Sequence, residues 1–372
     1  MRTPTLVNLE REFRPLLTRL HPWMAVQAYS RGRNIFLGKL KEEMPSEAYE
    51  PPKELSRELW GIKFRSPVMN AAGMFKNGEC YGLCAIQGAG AYLGGTGTWN
   101  PRTGNSKLRI NLPFIPYYES GAASNWLGLP NKGDLTNAEQ VGRMARVNDT
   151  PIGWSVMGSP DFDGPKKLEF LVSSLRMYAD QGADFLEMNE SCPNTSHGKP
   201  QEDKLAERLG YVSREFLQKR QRNVPVIVKF SVDTPVEQVR PLMDLLFDLG
   251  FGGVNFGNTS TNYSVMREKI SPGERRLFDF FTSRFGGGVS GKPLKEASLE
   301  LCAVAAEHVR RGGPKQKFHV IRTGGVSSLS DIRDSERAGV PLNQWFTGYF
   351  ENLALHGHDV YRNLYASSRA LK

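Results

Sequence analysis

From about residue 62 onward, short β-branched or apolar runs alternate with longer amphipathic stretches, and the alternation repeats eight times. This is the pattern of successive βα units. The strand candidates are 67–72, 89–95, 151–157, 183–189, 224–230, 252–258, 317–323 and 343–347, and stretches such as 166–181, 204–220, 235–249, 293–310 and 329–338 supply helices. Eight parallel strands with returning helices read most simply as an α/β fold, a (β/α)8 TIM barrel spanning residues 51–372 behind a helical extension, residues 1–50. A two-domain nucleotide-binding fold competes, but it needs G-x-G-x-x-G directly after a first strand. The one match, Gly286, Gly288 and Gly291, comes late, after the aromatic stretch FDFFTSRF. The same segment nearly makes a P-loop, yet Pro293 stands where Ser or Thr would hold magnesium, which argues against a kinase or ATPase.

Composition narrows the class. With 39% hydrophobic and 23% charged residues the 372-residue chain can bury a large core and is not a disordered protein. Mean hydropathy is -0.43, and no apolar run reaches the length of a membrane span. Glu10 and Glu12 interrupt the place where a signal peptide would be apolar, so none is expected. Cys80, Cys84, Cys192 and Cys302 are too few and too irregular for a disulfide framework, and Cys80 and Cys84 lack a second pair to complete a zinc site. No metal is expected, and a reducing cytoplasmic setting fits. The net charge of +9 permits an anionic partner without choosing one.

The extension differs in kind from the rest. Leu9, Phe13, Leu16, Leu17 and Leu20 share one helical face, and Trp23, Met24, Val26 and Tyr29 follow a turn at His21-Pro22. Arg2, Arg11, Arg14, Arg19, Arg31, Arg33, Lys39 and Lys41 surround them. Such a hairpin can lie on an anionic bilayer or cap the barrel.

In a barrel, chemistry sits at the C-terminal ends of the strands. Here those ends deliver Asn70-Ala71-Ala72-Gly73, Thr96, Ser155, Asn189, Lys229, Asn258-Thr259, Thr323-Gly324-Gly325 and Thr347-Gly348 to one mouth. The last two are where barrels commonly bind phosphate through backbone N–H groups and a helix N-terminus. Lys229 closes the apolar strand PVIVKF and must meet an anion, react, or snorkel to solvent. A Schiff base and a fixed positive charge beside an anionic cofactor are both open to it. Cys192, in NESCPNTSHGKPQ, is bracketed by Asn189 and Asn194, amides suited to a carbonyl-rich planar substrate, with His197 a second candidate base.

AAGMFKNGE, SNWLGLPNKG, NESCPNT, VKF, NTS, GGVSGKPL, TGG and FTG follow one another in an order and spacing that resemble the dihydroorotate dehydrogenase family, over residues 55 to 365. The resemblance implies an FMN-containing TIM barrel that oxidises dihydroorotate to orotate in pyrimidine synthesis. By matching motif, Ala71, Ala72, Gly73, Thr96, Asn189, Lys229, Thr259, Ser290, Gly291, Gly324, Gly325, Phe346, Thr347 and Gly348 look like flavin contacts. Lys76, Asn125, Leu127, Gly128, Leu129, Asn189, Asn194 and Asn258 look like the substrate site, with Lys76 answering the carboxylate. Cys192 falls where the family places its base; the resemblance implies proton removal from C5, hydride transfer from C6 to flavin N5, and stabilisation of the reduced flavin by Lys229.

The family comprises membrane-linked, quinone-reducing members with an N-terminal helical extension and a Ser base, and soluble members with a Cys base. This chain mixes the two. The extension, ELWGIKFRSPVMNAAG and Lys76 resemble the first group, whereas Cys192, Ser155, LGLPN and GKPQ resemble the second. A quinone acceptor, peripheral contact of residues 1–45 with the inner face of a membrane, and no nucleic-acid partner are what the resemblance implies. Arg109 is the one residue aligning with the arginine-bearing segment at the quinone entrance, while Glu190 and Arg322 are departures expected near the mouth. The alternatives are a related flavin oxidoreductase acting on another ring acid, a flavin-free phosphosugar lyase using Lys229 as a Schiff base, and a barrel kept only as a scaffold.

Overall fold

The computed structural model describes residues 3–190, 205–312 and 318–366. Eight strands, β1 (Val68–Asn70), β2 (Tyr92–Gly97), β3 (Ile152–Val156), β4 (Phe185–Asn189), β5 (Val226–Phe230), β6 (Gly253–Phe256), β7 (His319–Thr323) and β8 (Leu342–Trp345), pair in parallel in chain order from β2 to β8, and β8 pairs with β1. The seam between β1 and β2 is closed partly by a side chain. The buried Asn70 amide donates to the Leu93 carbonyl at 2.7 Å and accepts from the Leu93 N–H at 3.1 Å, standing in for ladder bonds. Backbone bonds flank it, from Gly90 to Val68 at 2.8 Å and from Gly73 to Gly95 at 2.7 Å. The expected TIM barrel is therefore present, with strand boundaries within a few residues of those read from the sequence.

Alternation along each strand sorts the residues into three environments. Val226, Val228, Leu186, Met188, Val254 and Val320 face outward and are buried under the helices. Facing inward at the N-terminal end, Met69, Leu93, Phe185, Ile227, Ile321 and Leu342 form an apolar layer, closed from below by Leu59 and Phe64 of the hairpin 57–64. Two residues further along the same strands the interior turns polar, with Glu187, Lys229, Thr323 and Gln344. The site grows from that change.

Above the mouth, Phe114–Tyr117, Ala122–Asn125 and Gly288–Gly291 form an antiparallel sheet. The glycine run read from the sequence as a nucleotide-loop look-alike is thus a strand, paired Gly288 to Asn125 and Gly291 to Ala122. Its glycines answer a packing demand: a Cβ at Gly288 would collide with the Thr259 side chain, and one at Gly291 with the Gly121 carbonyl.

The extension is two helices, α1 (Thr3–Arg19) and α2 (Pro22–Leu40), with His21 Nδ1 accepting from the Trp23 N–H at the start of α2. Its two helices are buried to different extents. α2 buries Ala25, Val26 and Tyr29 against Ile115, Tyr117, Ala122, Phe278 and Phe281, and so caps the barrel. α1 rests on α2, tied by Tyr29 Oη donating to Glu10 at 3.0 Å, and leaves Leu9, Phe13 and Leu16 exposed at 38%, 52% and 61%.

Arg322 corrects an expectation. It does not reach the mouth but points outward from β7 and is fully buried, donating to Ser298 Oγ at 3.0 Å, Ser335 Oγ at 3.0 Å, the Asp331 carbonyl at 3.2 Å and the Lys295 carbonyl at 2.8 Å. Burial lowers its pKa from the ordinary guanidinium value, opposed by the nearby Asp331 and Asp334 carboxylates. Glu190 likewise is engaged, by Arg208 Nη2 at 2.8 Å.

Candidate active site

The strand ends converge on one cavity. Its wall includes Ala71, Ala72, Gly73 and Lys76 after β1, Thr96 from β2, Asn189 from β4, Lys229 from β5, and Asn258 and Thr259 after β6. Gly324 and Gly325 follow β7, Phe346, Thr347 and Gly348 follow β8, and Asn125, Leu127, Leu129, Ser290 and Gly291 descend from the overlying sheet and its loop. Gly128 does not line it: with φ of 70° it forms the turn between two lining leucines, and its carbonyl accepts from Arg102 Nε at 3.3 Å. Cys192 and Asn194, like His197, lie outside the described residues.

Two glycine turns meet at one end of the cavity. Gly324 and Gly325 have φ of 119° and 73°, the left-handed region that glycine alone enters without strain. Gly348 lies in the first turn of the helix Thr347–His356, packed so closely on Val326 and Ser327 that a Cβ would meet Ser327 Cα at 2.8 Å. Backbone N–H groups at a helix start have no partner within the helix, and together with the helix dipole they favour an anion. Thr347 Oγ1 and Ser290 Oγ, 3.0 Å apart, add hydroxyls beside them.

Toward the barrel axis the wall is polar. Asn258 donates to Asn189 Oδ1 at 3.2 Å, Asn189 donates to Thr96 Oγ1 at 3.3 Å, and Thr96 and Ser155 hydroxyls are 3.0 Å apart. Thr259 Oγ1 is buried in this wall without a hydrogen-bond partner among the described residues. Lys229 does not snorkel: its side chain is 5% exposed, with Nζ 3.4 Å from both Glu187 Oε1 and Gln344 Oε1. An ammonium held against a carboxylate acts as a fixed charge, whereas an imine-forming amine must first lose its proton. A phosphate-bearing ligand with a flat, hydrogen-bonding head fits this arrangement: the glycine turns suit its phosphate, and the amides, the orphaned hydroxyl and Lys229 suit its head.

Several lining residues were not read from the sequence, Arg33, Phe114 and Gln344 among them. Arg33, counted there only among the basic residues of the extension, reaches the cavity from α2, with its guanidinium carbon 5.7 Å from the Phe114 ring centre. Desolvation there lowers its pKa from the usual arginine value to about 10. Phe114 and Gln344 also line the cavity. No local signal marks these residues, because helix docking and strand register bring them to the mouth. Cys80 is partly buried and Cys84 fully so; burial raises the Cys80 thiol to about 12 and the Cys84 thiol well above its ordinary value. Among the described residues no helix is long and apolar enough to cross a membrane.

Comparison with known proteins agrees with this geometry. The family model for dihydroorotate dehydrogenase matches residues 54–366. A dihydroorotate dehydrogenase (quinone) of Synechococcus sp. is 28% identical over 306 residues, covering 81% of this chain and 76% of that protein. A dihydroorotate dehydrogenase (quinone) of Marinomonas sp. is 28% identical over 375 residues, covering 96% of each chain, so the matched length includes α2. The ligand-free dihydroorotate dehydrogenase structure from Eimeria tenella superposes with a TM-score of 0.73 at 21% identity, covering 91% of this chain and 95% of that one, which places the fold. With most of its length matched and its barrel built around one amide-rich, glycine-cradled mouth, the chain belongs to the dihydroorotate dehydrogenase family.

Proposed function

We propose that the protein is an FMN-dependent oxidoreductase that converts dihydroorotate to orotate and passes the electrons to a quinone. The observation that carries this reading is the convergence of Lys76, Asn125, Asn189, Asn258 and Lys229 with the two glycine turns on one cavity. FMN, when bound, supplies the two-electron acceptor.

The protein's own residues account for the rest. Gly324, Gly325, Thr347 and Gly348 would hold the phosphate through backbone N–H groups. Lys76, at the same mouth, is placed to neutralise the substrate carboxylate, and the asparagines offer donors and acceptors to a ring that carries alternating N–H and C=O groups. Fixing the ring in this way removes orientational freedom before reaction. Cys192 Sγ takes the C5 proton in this reading, and Asn189 and Asn258, already hydrogen-bonded to each other, hold the substrate from the strand side.

Two features support a quinone acceptor: the similarity of this chain to quinone-type relatives, one of them matched over a length that includes α2, and the place of Arg33, which brings α2 to the cavity wall. α1 exposes an apolar face flanked by basic residues, suited to an anionic bilayer surface, and a lipid-dissolved acceptor would reach the cavity beside it. The direct test is the visible spectrum of the purified protein followed by anaerobic addition of dihydroorotate. Flavin absorption that bleaches on addition, and returns with a short-chain quinone, is the expected result. Bands that do not bleach would discard the substrate, and a protein unable to take up FMN would discard the reading.

A further inference from the structure

Glu187 occupies an unusual place for a carboxylate. It points into the barrel from β4, is 1% exposed, and sits directly above the apolar layer of Phe185, Ile227 and Ile321. Its two oxygens are used differently. Oε2 accepts from Gln344 Nε2 at 2.7 Å and from Asn255 Nδ2 at 2.9 Å. Among the described residues Oε1 accepts no hydrogen bond, and it faces Lys229 Nζ at 3.4 Å. Among the described residues Lys229 in turn makes only long polar contacts, 3.4 Å to Glu187 and 3.4 Å to Gln344, so its ammonium keeps donor capacity for the cavity that it lines.

Burying a carboxylate is costly, and holding two amide donors does not require the charge, since a neutral glutamine oxygen can accept both. What only the charged residue supplies is a negative potential behind Lys229, on the side away from the ligand. We propose that Glu187 is a positioning residue and counter-charge that limits how strongly Lys229 favours the reduced, anionic form of the bound flavin, and so sets its reduction potential low enough for electrons to leave to the acceptor. This rests on the flavin reading of the site. Reduction of FMN to that form takes up two electrons and one proton, leaving one added negative charge near Lys229. A lysine with its counter-charge removed favours this form more strongly, so reduced FMN gains affinity over oxidised FMN.

The test is the midpoint potential of FMN in the holoprotein, measured for wild type, Glu187→Gln and Glu187→Asp against a reference dye, with thermal melting alongside. Glu187→Gln is expected to raise the preference for reduced over oxidised FMN about tenfold, which is roughly 30 mV for a two-electron couple. Glu187→Asp keeps the charge and is expected to stay near wild type even if its melting temperature falls. A merely structural role predicts lower melting temperatures without a shift in potential, and that result would overturn the proposal. Glu187→Asp measures whether charge or size matters even if Glu187→Gln fails to fold: an aspartate variant with a potential raised well above wild type, despite its charge, also overturns it. Wild-type protein that takes up no FMN would overturn the functional reading and this proposal together, whereas bound FMN with an unmoved potential would overturn this proposal alone.

Discussion

Gly348→Ala tests the phosphate cradle most sharply, because local and tertiary effects act in opposite directions. In the first turn of a helix, alanine is ordinarily favoured over glycine by up to ~1 kcal/mol. Here its Cβ would run into the Val326 carbonyl oxygen and stand 2.8 Å from Ser327 Cα and 2.9 Å from Ser327 Cβ. Carbon atoms in ordinary contact sit ~3.5–4.0 Å apart, so the helix start and the 324–327 turn must separate by roughly 0.7 Å or more. Overpacking of this kind costs ~1–3 kcal/mol, which leaves a net loss of folding stability of about 0–2 kcal/mol after the helix gain. Ligand binding suffers more. A hydrogen bond to a charged group contributes ~1.5–3 kcal/mol, so misaligning one N–H donor weakens FMN binding by about 10- to 150-fold. The assay is titration of apoprotein with FMN, followed by flavin fluorescence, with a thermal melt in parallel. Gly38→Ala in α2, where a Cβ meets nothing within 4 Å, is the control and should leave FMN binding unchanged. A Gly348→Ala protein that binds FMN as tightly as wild type would refute the cradle.

Three further outcomes are expected. A free thiol has a pKa of ~8.5, so with Cys192 as base the rate should rise from about pH 6 to about pH 9, and Cys192→Ser should move that profile; a flat wild-type profile would remove Cys192 from the role. Replacing Leu9, Phe13 and Leu16 together by glutamate should abolish binding to anionic vesicles and cut quinone reduction while sparing dye reduction and the melting temperature, since these side chains are already exposed; unchanged vesicle binding would sink the membrane reading. Arg322→Ala removes a buried cation with four hydrogen-bond partners, which should cost ~3–5 kcal/mol and lower the melting temperature by on the order of 10 °C; a shift under ~2 °C would show that the surrounding oxygens find water instead.

Much of the barrel could be read in the sequence because its determinants are local. Each βα unit carries its own apolar run and amphipathic stretch, and the eight strands begin and end within a few residues of those patterns. The glycines after β7 and β8, and Lys229 closing an otherwise apolar strand, also announce themselves, since each breaks its neighbours' pattern for a reason that chemistry supplies. The seam between β1 and β2 was not legible: Asn70 looked like a site residue, and its amide is instead spent on Leu93.

What only the tertiary structure decided is which residues meet. Period-two alternation says that Arg322 and Thr323 face opposite ways, but not which way is inward; register with β6 and β8 sends Thr323 to the axis and Arg322 under the helices. The pairing of Glu187 with Lys229 spans two adjacent strands separated by a helix, and Arg33 reaches the mouth only because α2 docks on the overlying sheet. The division of the extension into an α2 with one face buried and a more exposed α1 was likewise invisible, since both helices carry apolar faces and the barrel offers room to cover one. Spacing along the chain encodes each element's own shape, whereas contacts between distant elements depend on closure, register and the space left once the larger surfaces are buried.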